Sequence, residues 1–491
     1  MARRDVEHVR GAVVGWVSAA LALLLVLAVA GWQLGWLDRF GGDDAPPSDD
    51  PAAVAPPPEV DVPPVRRPHA VAPVADLSPQ LDISAVEAAL RPFLRDRDLG
   101  RHVVAAVAPL RGGGRGYDLT SGGAALSTPA STTKIITSSV ALFLLGADHR
   151  FETRTALEKG GGTPRLVLVG GGDPFLLSSP QAKWGTNTAA TFAPQKADVV
   201  TLARETAKAL RADGVRRVRL GYDDSLFSGP SANPHWRADY IPDDVVSPIS
   251  ALWVDEGRDP TGYGFSSDPS SSAAAVFGTA LGKAGITVVG APAATVASDA
   301  ASDVASVSSA PLAQIVQRLL EVSDNQAAEV LLRQAGLAHG GEGSFTGGQN
   351  AVKRVLAANG VDMRGSVLYD GSGLSREDLM SPHLLIDVLR WAASDDEPDL
   401  RAVVAGLPVA GFTGSLANRF DNAAPEGPGR VRAKTGTLTG VTSLAGIAVD
   451  LDGSVLVFAL LADRVNPARS GLAEIALDDA AGALGACHCT R

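Results

Sequence analysis

Ser131 and Lys134 form the only SxxK pair in the sequence. Pro129 precedes them, and apolar residues at helical spacing follow until Gly146, which predicts a helix beginning near Ser131. Residues i and i+3 share one face of a helix, so the hydroxyl and the amine are expected to lie within reach of each other. The positive end of the helix dipole would favour a developing alkoxide. The pair therefore predicts an acyl-transfer nucleophile and its base.

Taken alone, the pair also has a more ordinary interpretation. Ser131 would then be a helix cap, and Lys134 would be a solvated surface charge. An acyl-transfer site additionally needs a proton route to the leaving amine and hydrogen-bond donors for the oxyanion. The catalytic interpretation therefore depends on partners elsewhere in the chain.

Ser323 and Asn325 form an SxN motif on a predicted turn between two helices. Ser323 could relay a proton to the leaving group, and Asn325 could hold Lys134 and a substrate amide. The alternative is a polar helix–helix turn whose side chains act as caps. A second SxN match, at Ser231 to Asn233, lies in a proline-rich loop and precedes no predicted helix. Ser323 is therefore the stronger candidate.

A KTGT sequence, residues 434–437, lies at the start of a predicted strand. Lys434 offers a positive charge, and Thr435 and Thr437 offer hydroxyls for a carboxylate. Gly436 removes a side chain where a substrate backbone could lie beside the strand. The backbone N–H groups of Ser131 and Thr437 are the predicted oxyanion hole. A KTG sequence alone is also common in ordinary turns.

Composition excludes several classes of partner and site. The formal net charge of −11 argues against nucleic acid and against a basic membrane-binding surface. We expect no cofactor and no metal, because no HExxH or comparable ligand set is present. The two cysteines, Cys487 and Cys489, are too close together to staple the fold, so we interpret them as an incidental tail without a structural disulfide.

The N-terminal region predicts export. Residues 11–37 are uncharged, follow Arg3, Arg4 and Arg10, and exceed the roughly 20 residues that span a bilayer. We favour a retained signal anchor, with a cleaved signal peptide as the alternative. Residues 41–76 form a proline-rich, acidic linker. The protein is therefore expected at the cell membrane with its folded part outside the cytoplasm, or secreted if the segment is cleaved.

The remaining pattern predicts an α+β protein, in which helices cover an antiparallel sheet. Residues 1–40 would be the cytoplasmic stub and transmembrane anchor. Catalytic parts at 77–148 and 306–486 would flank one or two inserted domains at 149–305. Among the elements predicted are a helix at Ile83 to Leu94 and a strand pair at 441–449 and 454–461.

SxxK, SxN and KTG occur in this order, each in its expected context, as in penicillin-binding proteins and class A β-lactamases. The chain resembles the serine penicillin-recognising enzymes, and more narrowly the class C low-molecular-mass penicillin-binding proteins, the D-alanyl-D-alanine carboxypeptidase/endopeptidase family. The resemblance covers about Leu77 to Leu484 and includes a large insert between Ser131 and Ser323. Four stretches support it: residues 170–174, 369–375, 407–416 and 430–438. Asp324 stands where the family more often has asparagine.

The resemblance implies a penicillin-binding/β-lactamase-like fold and hydrolysis of the D-Ala-D-Ala bond of peptidoglycan stem peptides through a Ser131 acyl-enzyme. It implies β-lactams as inhibitors, and leaves open the balance of carboxypeptidase and endopeptidase activity. Lys134 would need a lowered pKa, to which Lys434 would contribute; which lysine is the base at each step stays open. The rivals are a β-lactamase-like hydrolase and a non-catalytic wall-binding scaffold or sensor. The oligomeric state is not predicted.

Overall fold

The computed structural model describes residues 80–112, 116–121, 125–160, 162–181, 193–420 and 427–491. The predicted anchor at 11–37 and linker at 41–76 lie outside these ranges. Among the described residues, no helix is both long enough and apolar enough to cross a membrane. The described residues belong to one compact unit.

A five-stranded antiparallel sheet forms the centre of this unit. Its strand order is β2-β1-β11-β10-β9, so β9 is an edge strand. The strands are β1 Val103–Pro109, β2 Tyr117–Ser121, β9 Val431–Leu438, β10 Val441–Val449 and β11 Val455–Ala462. Strand β1 is buried along its whole length, because both faces of the sheet are covered by helices.

The described residues contain ten α-helices: α1 Ile83–Leu94, α2 Thr133–Leu145, α3 Val199–Ala212, α4 Pro269–Lys283, α5 Leu312–Val322, α6 Asn325–Ala338, α7 Phe345–Ala358, α8 Pro382–Ala392, α9 Arg401–Gly406 and α10 Ser470–Gly485. Helices α1 and α10 share one hydrophobic core with one face of the sheet. Helices α2 and α5 to α8 share a second core with the opposite face.

A second, mixed sheet lies between α2 and α5 in the sequence, with the order β6-β5-β4-β3-β8 and with β7 paired to β5. Its strands are β3 Glu152–Glu158, β4 Arg165–Val169, β5 Arg217–Asp223, β6 Thr287–Val288, β7 Ala293–Ala294 and β8 Ser302–Ser308. Helices α3 and α4 pack on it around the buried Phe277 and form a third core. The domain boundaries drawn from the sequence stay a prediction.

Helix α2 is buried among other elements rather than at the surface. Its residues from Thr133 to Leu142 are all buried, including the hydroxyls of Thr137, Ser138 and Ser139. Gly146 ends the helix with φ = 86°, and its N–H bonds the carbonyl of Leu142. A helix that is buried around its circumference in this way is a core element, so its N-terminal part packs inside the protein.

The predicted α+β class is confirmed, and many element bounds agree with the sequence pattern. The helix at Ile83–Leu94 and the strand at Val441–Val449 have the predicted limits. Strand β8 and the short helix α9 were not predicted. Strand β8, with the sequence SDVASVS, has no regular alternation of apolar and polar residues, and α9 has six residues, too few to establish a period.

The interpretation of the cysteines was wrong, because Cys487 and Cys489 are joined by a disulfide. The tail is also not incidental. The carbonyl of Cys489 accepts from the N–H of Asp82 at 2.8 Å, and Thr490 Oγ1 donates to Asp450 Oδ2 at 2.9 Å. The C-terminus therefore attaches α1 to the β10–β11 hairpin.

Substitution Phe277→Ala is expected to destabilise the second sheet and its helices by about 3–5 kcal/mol, because it leaves a cavity in a fully buried core. Urea unfolding followed by tryptophan fluorescence measures the change. The partly exposed Val288→Ala should cost less than about 1 kcal/mol. Equal losses for the two variants would contradict this description of the core.

Candidate active site

Ser131 lies in a tight turn that leads into α2. Residues Ala130–Thr132 form a 3₁₀ turn, and α2 begins at Thr133. Ala130 has φ = 47°, and Thr132 Oγ1 donates to the carbonyl of Pro129 at 2.8 Å. Neither this turn nor the start of α2 has a side-chain cap, so the alternative role of Ser131 as a cap is wrong.

Lys134 is fully buried, and three acceptors surround its amine. Its Nζ donates to Ser131 Oγ at 2.8 Å, to Asn325 Oδ1 at 2.8 Å and to the carbonyl of Ser372 at 2.9 Å. Burial lowers the pKa of Lys134 to about 8, against the opposing effect of nearby carboxylates. At pH 7, about one molecule in ten would then hold a neutral amine next to the serine hydroxyl.

The SxN motif lies where α5 ends and α6 begins. Ser323 adopts left-handed backbone with φ = 61°, and Asp324 Oδ1 caps α6 by accepting from the N–H of Ala327 at 2.9 Å. Asn325 is the first residue of α6, and its Nδ2 donates to the carbonyl of Val245 at 3.0 Å. Val245 thus orients the amide so that its oxygen faces Lys134.

Lys434, also fully buried, occupies the other side of this turn. Its Nζ donates to Ser323 Oγ at 2.8 Å and to the carbonyl of Thr435 at 2.7 Å. Burial, with the charges of Lys134 and Arg419, holds the pKa of Lys434 well below its usual value. Burial is likewise the leading cause of the lowered pKa of Lys134, and the charge of Lys434, to which the sequence pointed, is not among its causes.

Gly436 allows β9 to approach the Ser131 turn. A Cβ atom at this position would lie 2.1 Å from Ser443 Oγ, 2.6 Å from the carbonyl oxygen of Pro129 and 3.1 Å from the nitrogen of Ser131. Ser443 Oγ in turn donates to the carbonyl of Pro129 at 2.6 Å. The missing side chain is therefore explained by contact between β9 and the turn, a reason that the sequence did not provide.

The outer edge of β9 is divided into two parts. Residues 408–410 pair with its first half, where the N–H of Ala433 bonds the carbonyl of Pro408. Antiparallel pairing alternates inward and outward backbone groups, so the N–H groups of Thr435 and Thr437 point to the same outer edge. No described strand pairs with them there. The N–H of Thr437 is thus free to face a bound group.

The two threonine hydroxyls lie on the face of β9 opposite Lys434. Thr435 Oγ1 is 3.0 Å from Ser415 Oγ, and Thr437 Oγ1 donates to Glu474 Oε1 at 2.9 Å. All the residues selected from the sequence therefore lie along one path from Ser131 to Thr437. The second SxN match, at Ser231 to Asn233, contacts the 369–375 segment instead, since Asn233 Nδ2 donates to the carbonyl of Tyr369 at 2.7 Å.

Sequence reasoning missed Glu329, which supports the surroundings of Lys134, whereas Asp370 belongs to the 369–375 stretch already selected from the sequence. The buried Glu329 accepts from the N–H groups of Gly371 and Ser372, at 3.1 and 2.8 Å, and so positions the carbonyl that Lys134 binds. Asp370 accepts from Gly373, Ser375 and the indole of Trp236. Glu329 lies four residues after Asn325 on α6, so the two side chains share one face of the helix. This spacing is the feature of the sequence from which Glu329 could have been predicted.

Comparison with known proteins gives consistent matches. A model of the D-Ala-D-Ala carboxypeptidase 3 (S13) family matches residues 86–263 and 260–483. The chain is 35% identical over 447 residues to Carboxypeptidase Rv3627c of Mycobacterium tuberculosis, covering 89% of this chain and 91% of that protein. It is 33% identical over 479 residues to Carboxypeptidase DacB of Mycolicibacterium smegmatis, covering 96% and 97%.

Among solved structures, penicillin-binding protein 4 of Haemophilus influenzae aligns with a TM-score of 0.64 at 20% identity, over 81% of this chain and 98% of that one. Its complex with a β-lactam aligns with a TM-score of 0.57. At this identity the likeness concerns the fold, and it confirms the predicted penicillin-binding-protein architecture.

Substitution Gly436→Ala should lower the rate of acylation by a fluorescent penicillin roughly 100-fold, because the new Cβ displaces the Ser131 turn by a fraction of an ångström or more. Stopped-flow labelling measures the rate. Gly282→Ala, on an exposed face of α4 with no atom within 4 Å of the new Cβ, is the matched control. An unchanged acylation rate in Gly436→Ala would contradict the close contact between β9 and the Ser131 turn.

The acylation rate should also depend on pH. As the predicted base, Lys134 would accept the serine proton only in its neutral form, so the rate should rise about tenfold per pH unit below its pKa of about 8 and level off above it. Asp324 raises this pKa through its charge. Substitution Asp324→Asn, which preserves a helix cap, should therefore move the acid limb to lower pH.

The exposed Asp299→Asn, which removes an equal charge from a distant loop, is the control for this shift. A pH profile for Asp324→Asn that coincides with that of the wild type would show that Lys134 does not determine the acid limb.

Proposed function

This chain belongs to the D-Ala-D-Ala carboxypeptidase 3 (S13) family and is a serine D-Ala-D-Ala carboxypeptidase, and from this premise we propose that Ser131 is its nucleophile. The observation that supports the assignment most directly is the 2.8 Å hydrogen bond from Lys134 Nζ to Ser131 Oγ. The amine is buried with a lowered pKa, so it can act as a base near neutral pH.

In the acylation step, Ser131 Oγ attacks the carbonyl carbon of the penultimate D-alanine of a peptidoglycan stem peptide. The hydroxyl proton moves to neutral Lys134. The N–H groups of Ser131 and Thr437 donate to the oxyanion that forms. Asn325 holds the Lys134 amine towards the serine, through its bond to Lys134 Nζ at 2.8 Å.

Collapse of this intermediate breaks the peptide bond, and the leaving D-alanine nitrogen must gain a proton. Ser323 Oγ, held by Lys434 Nζ at 2.8 Å, is the proposed donor. Ser323 Oγ is then reprotonated by the proton that Lys134 took from Ser131, which leaves Lys134 neutral again. A water molecule then attacks the acyl-enzyme, with its proton going to Lys134, and hydrolysis regenerates Ser131. Thr435 and Thr437 line the edge of β9 that would face the leaving residue.

We further propose that the protein works outside the cytoplasm, where its wall substrate lies. Residues 11–37 would hold it at the membrane as a single-pass anchor, and residues 41–76 would act as a spacer. Within the folded part, 149–305 would be the inserted region between catalytic parts 77–148 and 306–486. If the N-terminal segment were cleaved, the enzyme would be secreted instead.

Substitution Ser131→Ala should abolish release of D-alanine from a pentapeptide and covalent labelling by a fluorescent penicillin, because both require the serine oxygen. Mass spectrometry of stem peptides and gel fluorescence measure the two activities. Ser138→Ala is a matched control on the same helix, since its buried Oγ has no hydrogen-bond partner. Residual D-alanine release by Ser131→Ala would refute the assignment.

The same assay separates the rival functions. A β-lactamase-like hydrolase would turn over penicillin rapidly without releasing D-alanine. A wall-binding scaffold would bind sacculi and leave them chemically unchanged. Comparing pentapeptide monomers with cross-linked dimers gives the balance of carboxypeptidase and endopeptidase activity.

A further inference from the structure

The neutral amine of Lys134 has one lone pair, and its neighbours determine where that lone pair points. The amide oxygen of Asn325 and the carbonyl of Ser372 accept from Nζ at 2.8 and 2.9 Å, and neither can donate a hydrogen bond. The two N–H groups of a neutral amine are therefore used by these oxygens. The lone pair is left for the hydroxyl of Ser131, which lies 2.8 Å away. Proton transfer from Ser131 thus requires both acceptors to be in place.

The Ser372 carbonyl belongs to a peptide group that is bound at both ends. The other end is the N–H of Gly373, and because this peptide bond is trans, the C=O and the N–H point in opposite directions. The N–H of Gly373 donates to Asp370 Oδ1 at 2.7 Å. Hydrogen bonds therefore connect Asp370 through one peptide group to Lys134 Nζ. The bond at the N–H end also strengthens the carbonyl as an acceptor.

Asp370 is itself held by donors on its second oxygen. The side chain is fully buried, and Oδ2 accepts from the N–H of Ser375 at 2.6 Å and from the indole of Trp236 at 2.8 Å. With the N–H of Gly373, three N–H donors converge on this side chain, which is the arrangement that suits a carboxylate. Trp236 comes from the region between α2 and α5, so that region helps to fix Asp370.

Lys134 on α2, Glu329 on α6 and Asp378 in the same loop are the titratable groups that interact with Asp370 in the described part of the chain. Burial and the charge of Asp370 raise the pKa of Glu329 to about 8 and hold the pKa of Asp378 well above its usual value, which favours their neutral forms. Burial lowers the pKa of Lys134, and Asp370 is the largest of the charges that oppose this change. Asp370 therefore supplies the main negative charge near the amine.

We infer that Asp370 is a positioning residue of the reaction: it orients the Ser372–Gly373 peptide group, and this group directs the lone pair of Lys134 towards Ser131. The inference rests on the proposed function, because that function makes Lys134 the base for Ser131. Asp370 acts on the amine through the peptide group, in the way that a third group orients the base of other nucleophile–base pairs.

Substitution Asp370→Asn tests this role because it breaks one hydrogen bond selectively. An amide has a single oxygen, which should turn to the side with two donors, Ser375 and Trp236, and leave its NH₂ group against the N–H of Gly373. In the full-length enzyme we measure the acylation rate at saturating fluorescent penicillin, and the penicillin concentration that gives half of that rate, across the acid limb and the plateau of the pH profile.

The plateau rate of Asp370→Asn should fall about 100-fold, because the lone pair of Lys134 is no longer directed at Ser131. The half-saturating penicillin concentration should stay within about threefold of the wild type, because the change affects the chemical step and not binding. The acid limb should move to lower pH, since a charge that raises the pKa of Lys134 is removed. A loss of stability alone would not produce this combination.

Asp378→Asn is the matched control, because it makes the same substitution at another fully buried carboxyl in the same loop. Its amide oxygen can still accept from the N–H of Tyr369, as Asp378 Oδ1 does at 2.8 Å. The plateau rate should therefore stay within about threefold of the wild type. If Asp370→Asn is not recovered folded, Trp236→Phe takes its place. This variant removes one of the three donors to Asp370 and should lower the plateau rate about fivefold.

The inference is wrong if Asp370→Asn keeps a plateau rate within about threefold of the wild type, or if Asp378→Asn loses as much as Asp370→Asn. For Trp236→Phe, an unchanged plateau rate has the same meaning. Failure of the proposed function gives a different result, since Ser131→Ala would then still be labelled by the penicillin, whatever residue stands at 370.

Discussion

The structure depends on the removal of Lys134 from water. Burying an ammonium group is costly unless it is hydrogen-bonded, and the lower pKa reduces that cost by favouring the neutral amine. Three oxygens remain around the amine, from Ser131, Asn325 and the carbonyl of Ser372. They come from the α2 turn, the start of α6 and a loop before α8. Packing these segments around one lysine lowers its pKa and places its amine against the hydroxyl of Ser131, the proposed nucleophile.

Strand β9 combines two tasks because its side chains alternate between faces. Lys434 and Gly436 face the Ser131 side. Lys434 donates to Ser323, and Gly436 allows β9 to lie against the Ser131 turn. Thr435 and Thr437 lie on the opposite face, where Thr435 contacts Ser415 in the turn at Gly414–Leu416 and Thr437 donates to Glu474 on α10. As an edge strand, β9 also leaves backbone groups for a substrate.

The region between α2 and α5 is connected to the catalytic machinery through its loops as well as through the chain. The indole of Trp236 donates to Asp370 at 2.8 Å, and Asn325 donates to the carbonyl of Val245 at 3.0 Å. Trp236, Tyr240 and Trp253 are buried in the same core as α2. These loops thus restrain the 369–375 segment and the asparagine that both contact Lys134.

The sequence alone was sufficient for features governed by local spacing. The i, i+3 relation of Ser131 and Lys134, the helix at Ile83–Leu94 and the order of the three motifs follow from periodicity and motif chemistry, and the family identity followed from them.

The remaining features depended on contacts between distant segments. Glu329 supports the Ser372 carbonyl, Gly436 fits against Pro129, and Glu474 binds Thr437, although each pair is separated by more than 30 residues. The Cys487–Cys489 disulfide and the left-handed backbone of Ala130 could not be predicted from the sequence pattern either. Local composition determines which elements form, but burial and pairing between elements decide which side chains meet and how strongly a lysine is desolvated.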